Sequence, residues 1–206
     1  MTKRIIYVTD GDAAAAKAVA TAAKTIGIGC LSLSGGNPTT CTYEQLLKSV
    51  TESTDEITVL LFDDAGQANE GRGEKLMIRL ASEEGINVIG ALAVASTERS
   101  GDWTKVDVSV DRYGKLSEWG VDKEGFRDIE KNRVHGDTVY SLDQLSIPVI
   151  VGIGDLGKMG GRDHPKRGAP VTATALQVII ERGDLTDDKD ERPNLNEQSQ
   201  KERKNI

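Results

Sequence analysis

The sequence predicts an α/β fold: a mostly parallel sheet with helices on both faces, in three layers. Three observations predict it. Short apolar runs recur along the chain, helical patterns fall between them, and most of the runs are continuously apolar rather than alternating, as in strands buried on both faces. The runs are Arg4–Thr9 (RIIYVT), Gly29–Leu33 (GCLSL), Thr58–Phe62 (TVLLF), Asn87–Val94 (NVIGALAV) and Pro148–Ile153 (PVIVGI). A sixth, Val106–Val110 (VDVSV), alternates, which marks a half-exposed or edge strand. Helices are predicted over Asp12–Thr25, with Asp12 as N-cap, and over Thr42–Thr51, where Thr42 is a cap and Gln45, three residues on, comes close to a capping box. Gly73–Glu84 follows and Gly85 stops it; Thr138–Leu145 is a shorter candidate. Pro170–Arg182 opens on a first-turn Pro and closes at Gly183. This alternation is that of flavodoxin-like and Rossmann-like folds.

Residues 1–183 are expected to form a single α/β domain, a size that can bury one substantial core. From 184 to 206 the chain is charged and nearly devoid of apolar residues, so a disordered polar tail is expected there. The formal net charge is -7, with 33 acidic against 26 basic residues, which speaks against nucleic acid as a partner. The two cysteines, Cys30 and Cys41, make neither a disulfide framework nor a CxxC site. No secretory signal pattern and no apolar run of membrane-spanning length is read, so contact with a membrane would be peripheral or through a partner.

Ligands of open parallel sheets bind beyond the carboxyl ends of the strands. Those ends carry Asp10 and Asp12, then Asp63 and Asp64, and finally Asp155. If the first and third strands are neighbours, Asp10, Asp12, Asp63 and Asp64 share a crevice. Crowded carboxylates repel unless a cation compensates, and an all-oxygen donor set suits Mg²⁺ or Ca²⁺. The plainer use of Asp12 is the helix cap, and that of Asp63 or Asp64 a turn. A second candidate set would take an anion: Ser34, Gly35 and Gly36 after the second strand, with Lys158, Arg162 and His164 in the glycine-rich loop GKMGGRDHPKRG (157–168). No complete nucleophile–base constellation is present, so an enzyme is the less favoured class.

Several strings, taken together and in order, carry a family resemblance. They are IYVTDGD (6–12), SLSGGNPTT (32–40), FDDAG (62–66), GRGEK (71–75), VDVSVDRYGKLSEWGVDKEG (106–125), GDTVYSLDQLSIPVIVGIGDLGKMGG (136–161) and GAPVTATALQVIIERG (168–183). The chain resembles the soluble stage V sporulation protein AE family of endospore-forming Firmicutes. The resemblance implies a non-enzymatic sporulation and spore-germination role beside the machinery that moves dipicolinic acid and its calcium chelate. It implies a place peripheral to the spore inner membrane, with other stage V sporulation A-operon membrane proteins and the germination receptor assembly as partners. It carries over no catalytic residue.

A competing reading is a Mg²⁺-dependent phosphoryl-transfer enzyme, haloacid-dehalogenase-like or Toprim-like, using Asp10, Asp12 and Asp63. Asp10-Gly11-Asp12 after a first strand is its motif; Ala13 and the absence of a well-placed Lys before Gly154 depart from the pattern. A third reading is a homo-oligomer joined through the edge strand Val106–Val110, near Trp103 and Trp119.

Overall fold

The structure, a computed structural model, describes residues 2–65, 71–96, 102–136 and 138–187, with side chains up to 183. The expected polar tail lies outside the described residues from 188 onward.

The strands are β1 (Lys3–Val8), β2 (Gly29–Leu31), β3 (Ile57–Leu61), β4 (Ile86–Val94), β5 (Trp103–Lys105), β6 (Val108–Val110), β7 (Leu116–Ser117), β8 (Trp119–Val121), β9 (Arg127–Lys131), β10 (Arg133–His135) and β11 (Ile150–Ile153). The α-helices are α1 (Ala13–Ile26), α2 (Tyr43–Glu52), α3 (Arg72–Ala81) and α4 (Pro170–Asp187). A seven-stranded sheet runs in the order β2-β3-β1-β4-β11-β6-β7. Its pairs are parallel except β6 with β7. This is a mixed α/β fold with a mostly parallel sheet. β1 lies beside β3, as the crevice argument requires, yet the order matches neither the flavodoxin 2-1-3-4-5 nor the Rossmann 3-2-1-4-5-6 arrangement.

Strand alternation divides the core. Along β1, Ile6 and Val8 join a cluster with Ala15, Ala18, Val19 and Ala22 of α1 and Leu176 and Ile179 of α4. Ile5 and Tyr7 join another with Leu46 and Val50 of α2 and Leu76, Met77 and Leu80 of α3. The period of two along a strand accounts for the split. α1 can lie close because its inner face is mostly alanine, and α4 because Gly183 faces β4. A Cβ at Gly183 would come within 2.7 Å of the Ile89 carbonyl oxygen.

The structure corrects several expectations. Gly183 does not end the last helix, which continues to Asp187, four residues past that stop. The chain after Leu31 leaves the sheet in a 3-10 turn, Ser32–Ser34, and Val139–Gln144 is 3-10 rather than α-helical. The third helix ends at Ala81, capped by Ser82, ahead of Gly85. Val108–Val110 is not the sheet edge: β6 lies between β11 and β7. The alternation there reflects Asp107, whose carboxylate accepts the Ile150 amide at 2.8 Å. Two antiparallel ribbons, β5–β10 and β8–β9, were not foreseen. Their strands are short, and all but β8 carry charge, so periodicity leaves little trace of them.

Candidate functional site

The crest is assembled at the ends of β1 and β11. β1 leads through Thr9–Asp12 into α1. Asp12 is the N-cap, its Oδ1 accepting the Ala14 amide at 2.8 Å and the Ala15 amide at 2.7 Å. Asp10 Oδ1 accepts the Asp12 amide at 3.0 Å, which curls the turn and brings both carboxyl groups to one side. β11 ends in Gly154-Asp155, and Asp155 completes a trio. One carboxylate oxygen each of Asp10, Asp12 and Asp155 lies within 4.8 Å of the others.

Lys158 stands between two of them. Its Nζ is 3.0 Å from Asp12 Oδ2 and 3.1 Å from Asp155 Oδ2. Burial works against these charges, but the Ala15 and Ala14 amides and the ammonium hold the Asp12 carboxyl below its usual range. Burial pushes Asp155 up, against the pull of Lys158. Lys158 itself is raised: burial opposes its charge, but the bonds to Asp12 and Asp155 prevail. Asp10, only 8% exposed, has no such cation and is pushed up to about 7 by burial, with repulsion from Asp12, Asp155 and Asp63 adding to it. Of the three carboxyl groups, Asp10 is thus the one that burial most strongly favours in its protonated form, while the ammonium favours the charged form of Asp12.

Asp63 is near this group but otherwise employed. Its Oδ2 accepts the Gly11 amide at 3.2 Å and its Oδ1 the Ala65 amide at 2.8 Å. Asp64 departs from the trio: it is buried, and its Oδ1 receives the Thr138 hydroxyl at 3.5 Å. Gly11 lets these loops meet. A Cβ there would fall 2.5 Å from the Gly36 carbonyl oxygen and 2.9 Å from Asp63 Cβ. Gly11→Ala is expected to cost about 2–3 kcal/mol in urea unfolding, the size of an overpacking penalty.

Each residue of the expected anion set already has a partner within the protein. The Ser34 hydroxyl is buried, donating to the Leu31 carbonyl and accepting the Leu61 amide, both at 2.9 Å. The Gly35 and Gly36 amides bond to the Ser32 and Gly11 carbonyls. Arg162 lies 4.4 Å over the Tyr113 ring, and His164 Nδ1 accepts the Lys166 amide. Lys158 serves the carboxylates instead.

Sequence reasoning missed Asp163. Its fully buried carboxylate accepts the Gly157, Val171 and Thr172 amides, each at 2.9 Å, and the Thr172 hydroxyl at 2.6 Å. It ties the Lys158 loop to the first turn of α4. The residue directly before Pro170 is Ala169, so no local capping signal announces it.

A family model described as stage V sporulation protein AE1 matches residues 4–183. The chain belongs to that family. The match runs from the second residue of β1 into α4, so the crest described above is built wholly within the matched residues. Membership in the stage V sporulation protein AE1 family supports a role in sporulation. No curated protein and no solved structure matches the chain. Among the described residues, no helix is long and apolar enough to cross a membrane.

Proposed function

We propose that the protein is a non-enzymatic sporulation and germination factor, held peripherally at the spore inner membrane beside the dipicolinate channel. Its crest, on this reading, handles a divalent cation, Ca²⁺ or Mg²⁺, free or as the dipicolinate chelate. The observation that carries this is the trio Asp10, Asp12 and Asp155, whose carboxylate oxygens lie within 4.8 Å of one another. The donor set fits: all its ligands are hard oxygens, and Lys158 occupies the position between Asp12 and Asp155 that a cation would compete for. The displaced ammonium is then available to a carboxylate of the chelate. The two core clusters, one with α1 and α4 and one with α2 and α3, support a three-layer arrangement beneath the crest.

Calorimetric titration with Ca²⁺, Mg²⁺, dipicolinate and calcium-dipicolinate tests the proposal. Saturable heat with a cation or the chelate is expected, lost in Asp155→Asn and strengthened for the free cation in Lys158→Met. Absence of heat with all four would sink the crest reading and leave the carboxylates as structural groups. Finding the protein in the spore inner-membrane fraction only when the channel proteins are present supports the location.

One observation favours a second reading, Mg²⁺-dependent phosphoryl transfer. Lys158, which follows the trio's last Asp in sequence, stands among the carboxylates where such chemistry wants a cation. Asp10 would be the nucleophile and Asp12 the acid, with Asp155 rather than Asp63 completing the set. Mg²⁺-dependent hydrolysis of p-nitrophenyl phosphate, abolished by Asp10→Asn, would establish it over the accessory role.

A further inference from the structure

The excursion between β4 and β11 gathers most of the large apolar side chains that the described residues expose: Trp103, Tyr113, Leu116, Phe126, Ile129 and Tyr140. On β9 they combine with charge in a definite pattern. Alternation turns Asp128 inward and sends Glu130 to His135 at 2.9 Å, while Arg127, Ile129 and Lys131 face out. The Trp119 ring lies under this row, with Arg127 at 4.0 Å and Lys131 at 5.1 Å from its centroid. Ile129, between the two cations, is 70% exposed. Glu118 at 3.6 Å screens part of Lys131. The outer face of β9 therefore reads cation, apolar, cation on a chain whose net charge is -7.

β9 is also an edge. Among the described residues β8 is its only strand partner, and β8 also packs near β6 and β10. An edge strand offers its backbone to an extended segment; here the Ile129 amide already donates to Asp128 Oδ1, so a partner would use the neighbouring backbone groups and the outward side chains. A second copy of β9 is a poor candidate, because two-fold antiparallel pairing must centre on one residue. Centred on Ile129, it sets Arg127 against Lys131 and Asp128 against Glu130. Centred on Asp128 or Glu130, it sets carboxylate against carboxylate. Like charges directly opposite are unfavourable.

We infer that β9 is a docking edge for an extended segment of a partner protein that carries carboxylates on either side of an apolar residue. The stacked Arg127 guanidinium is held flat on the indole, which fixes it for a carboxylate at little further ordering cost. Trp119 and Arg127 are the residue types that dominate the centres of protein interfaces. This inference is independent of the crest reading and can fail or hold without it.

The test uses the full chain with Trp103→Phe, so that Trp119 is its one indole. It is titrated with a short synthetic peptide alternating Glu and Val, with the Lys–Val counterpart, and with phosphatidylglycerol vesicles, while Trp119 fluorescence is followed. The expected result is a saturable change with the Glu–Val peptide and at least about tenfold weaker binding of the Lys–Val peptide. The double variant Arg127→Glu, Lys131→Glu should invert that preference, a change that misfolding cannot produce. Equal response to both peptides, no response to either, a preference unmoved by the double variant, or a response to vesicles alone would each overturn the inference.

Discussion

Asp163→Ala is expected to lower unfolding stability by about 3 kcal/mol or more. The substitution removes one carboxylate but strands three backbone amides and a hydroxyl, all bonded to it in a fully buried position. Each buried donor left without a partner costs about 1–3 kcal/mol, less whatever water can restore. Set against a typical total of about 5–15 kcal/mol, the loss is large enough to unfold a marginal domain. Asp163→Asn keeps one acceptor oxygen and should fall between the variant and the parent. Urea unfolding followed by circular dichroism measures both. A loss under about 1 kcal/mol for the alanine variant would show that water fills the place of the carboxylate. The damage should also reach the crest, because Asp163 holds the Gly157 amide one residue before Lys158.

The second large effect is a stability that declines as pH rises, centred on Asp10. Its folded pKa, about 7, lies above the unfolded value of about 4, so between those values the folded state holds the proton more tightly. Stability is greatest below the unfolded pKa and falls as pH climbs through the folded one. The full swing is on the order of 4 kcal/mol, taken from a difference of about three pKa units. Asp155, also raised, pushes in the same direction; Asp12, lowered, pushes in the opposite one. Asp10→Asn imitates the protonated acid, so in chelator it should be more stable than the parent at pH 8 and similar at pH 4. Urea midpoints at the two pH values decide it. Equal pH slopes in parent and variant would mean that Asp10 ionises freely despite its burial.

Both effects lie where the sequence is least explicit. The central strands are legible because an uninterrupted run such as Thr58–Phe62 has few other uses, and the helix starts because Asp12, Thr42 and Gln45 act on amides two or three residues away. The meeting of Asp10 with Asp12 is local and could be read. The role of Lys158 could not, since its partner Asp12 is 146 positions earlier and its glycine-rich surroundings suit an anion equally well. Asp63 and Asp64 stand side by side in sequence, yet one turns to Gly11 and the other to Thr138. The composition of the two loops does not encode that divergence. The ribbons of residues 103–135 escaped for a related reason: their strands are short and their pairing depends on neighbours fixed elsewhere.

The place of α4 bears on how the chain matures during synthesis. One face of β1 and β4 is covered jointly by α1 and α4, and Gly183 sits against Ile89. A nascent chain can therefore form α1 and the early strands long before it can shield them. Until the segment around residue 183 leaves the ribosome, apolar side chains of the central sheet stay wet, a state in which partly made chains stick to one another. Translation speed over the stretch between β4 and α4 should set how long that face stays uncovered, and so how much of this protein reaches its folded form.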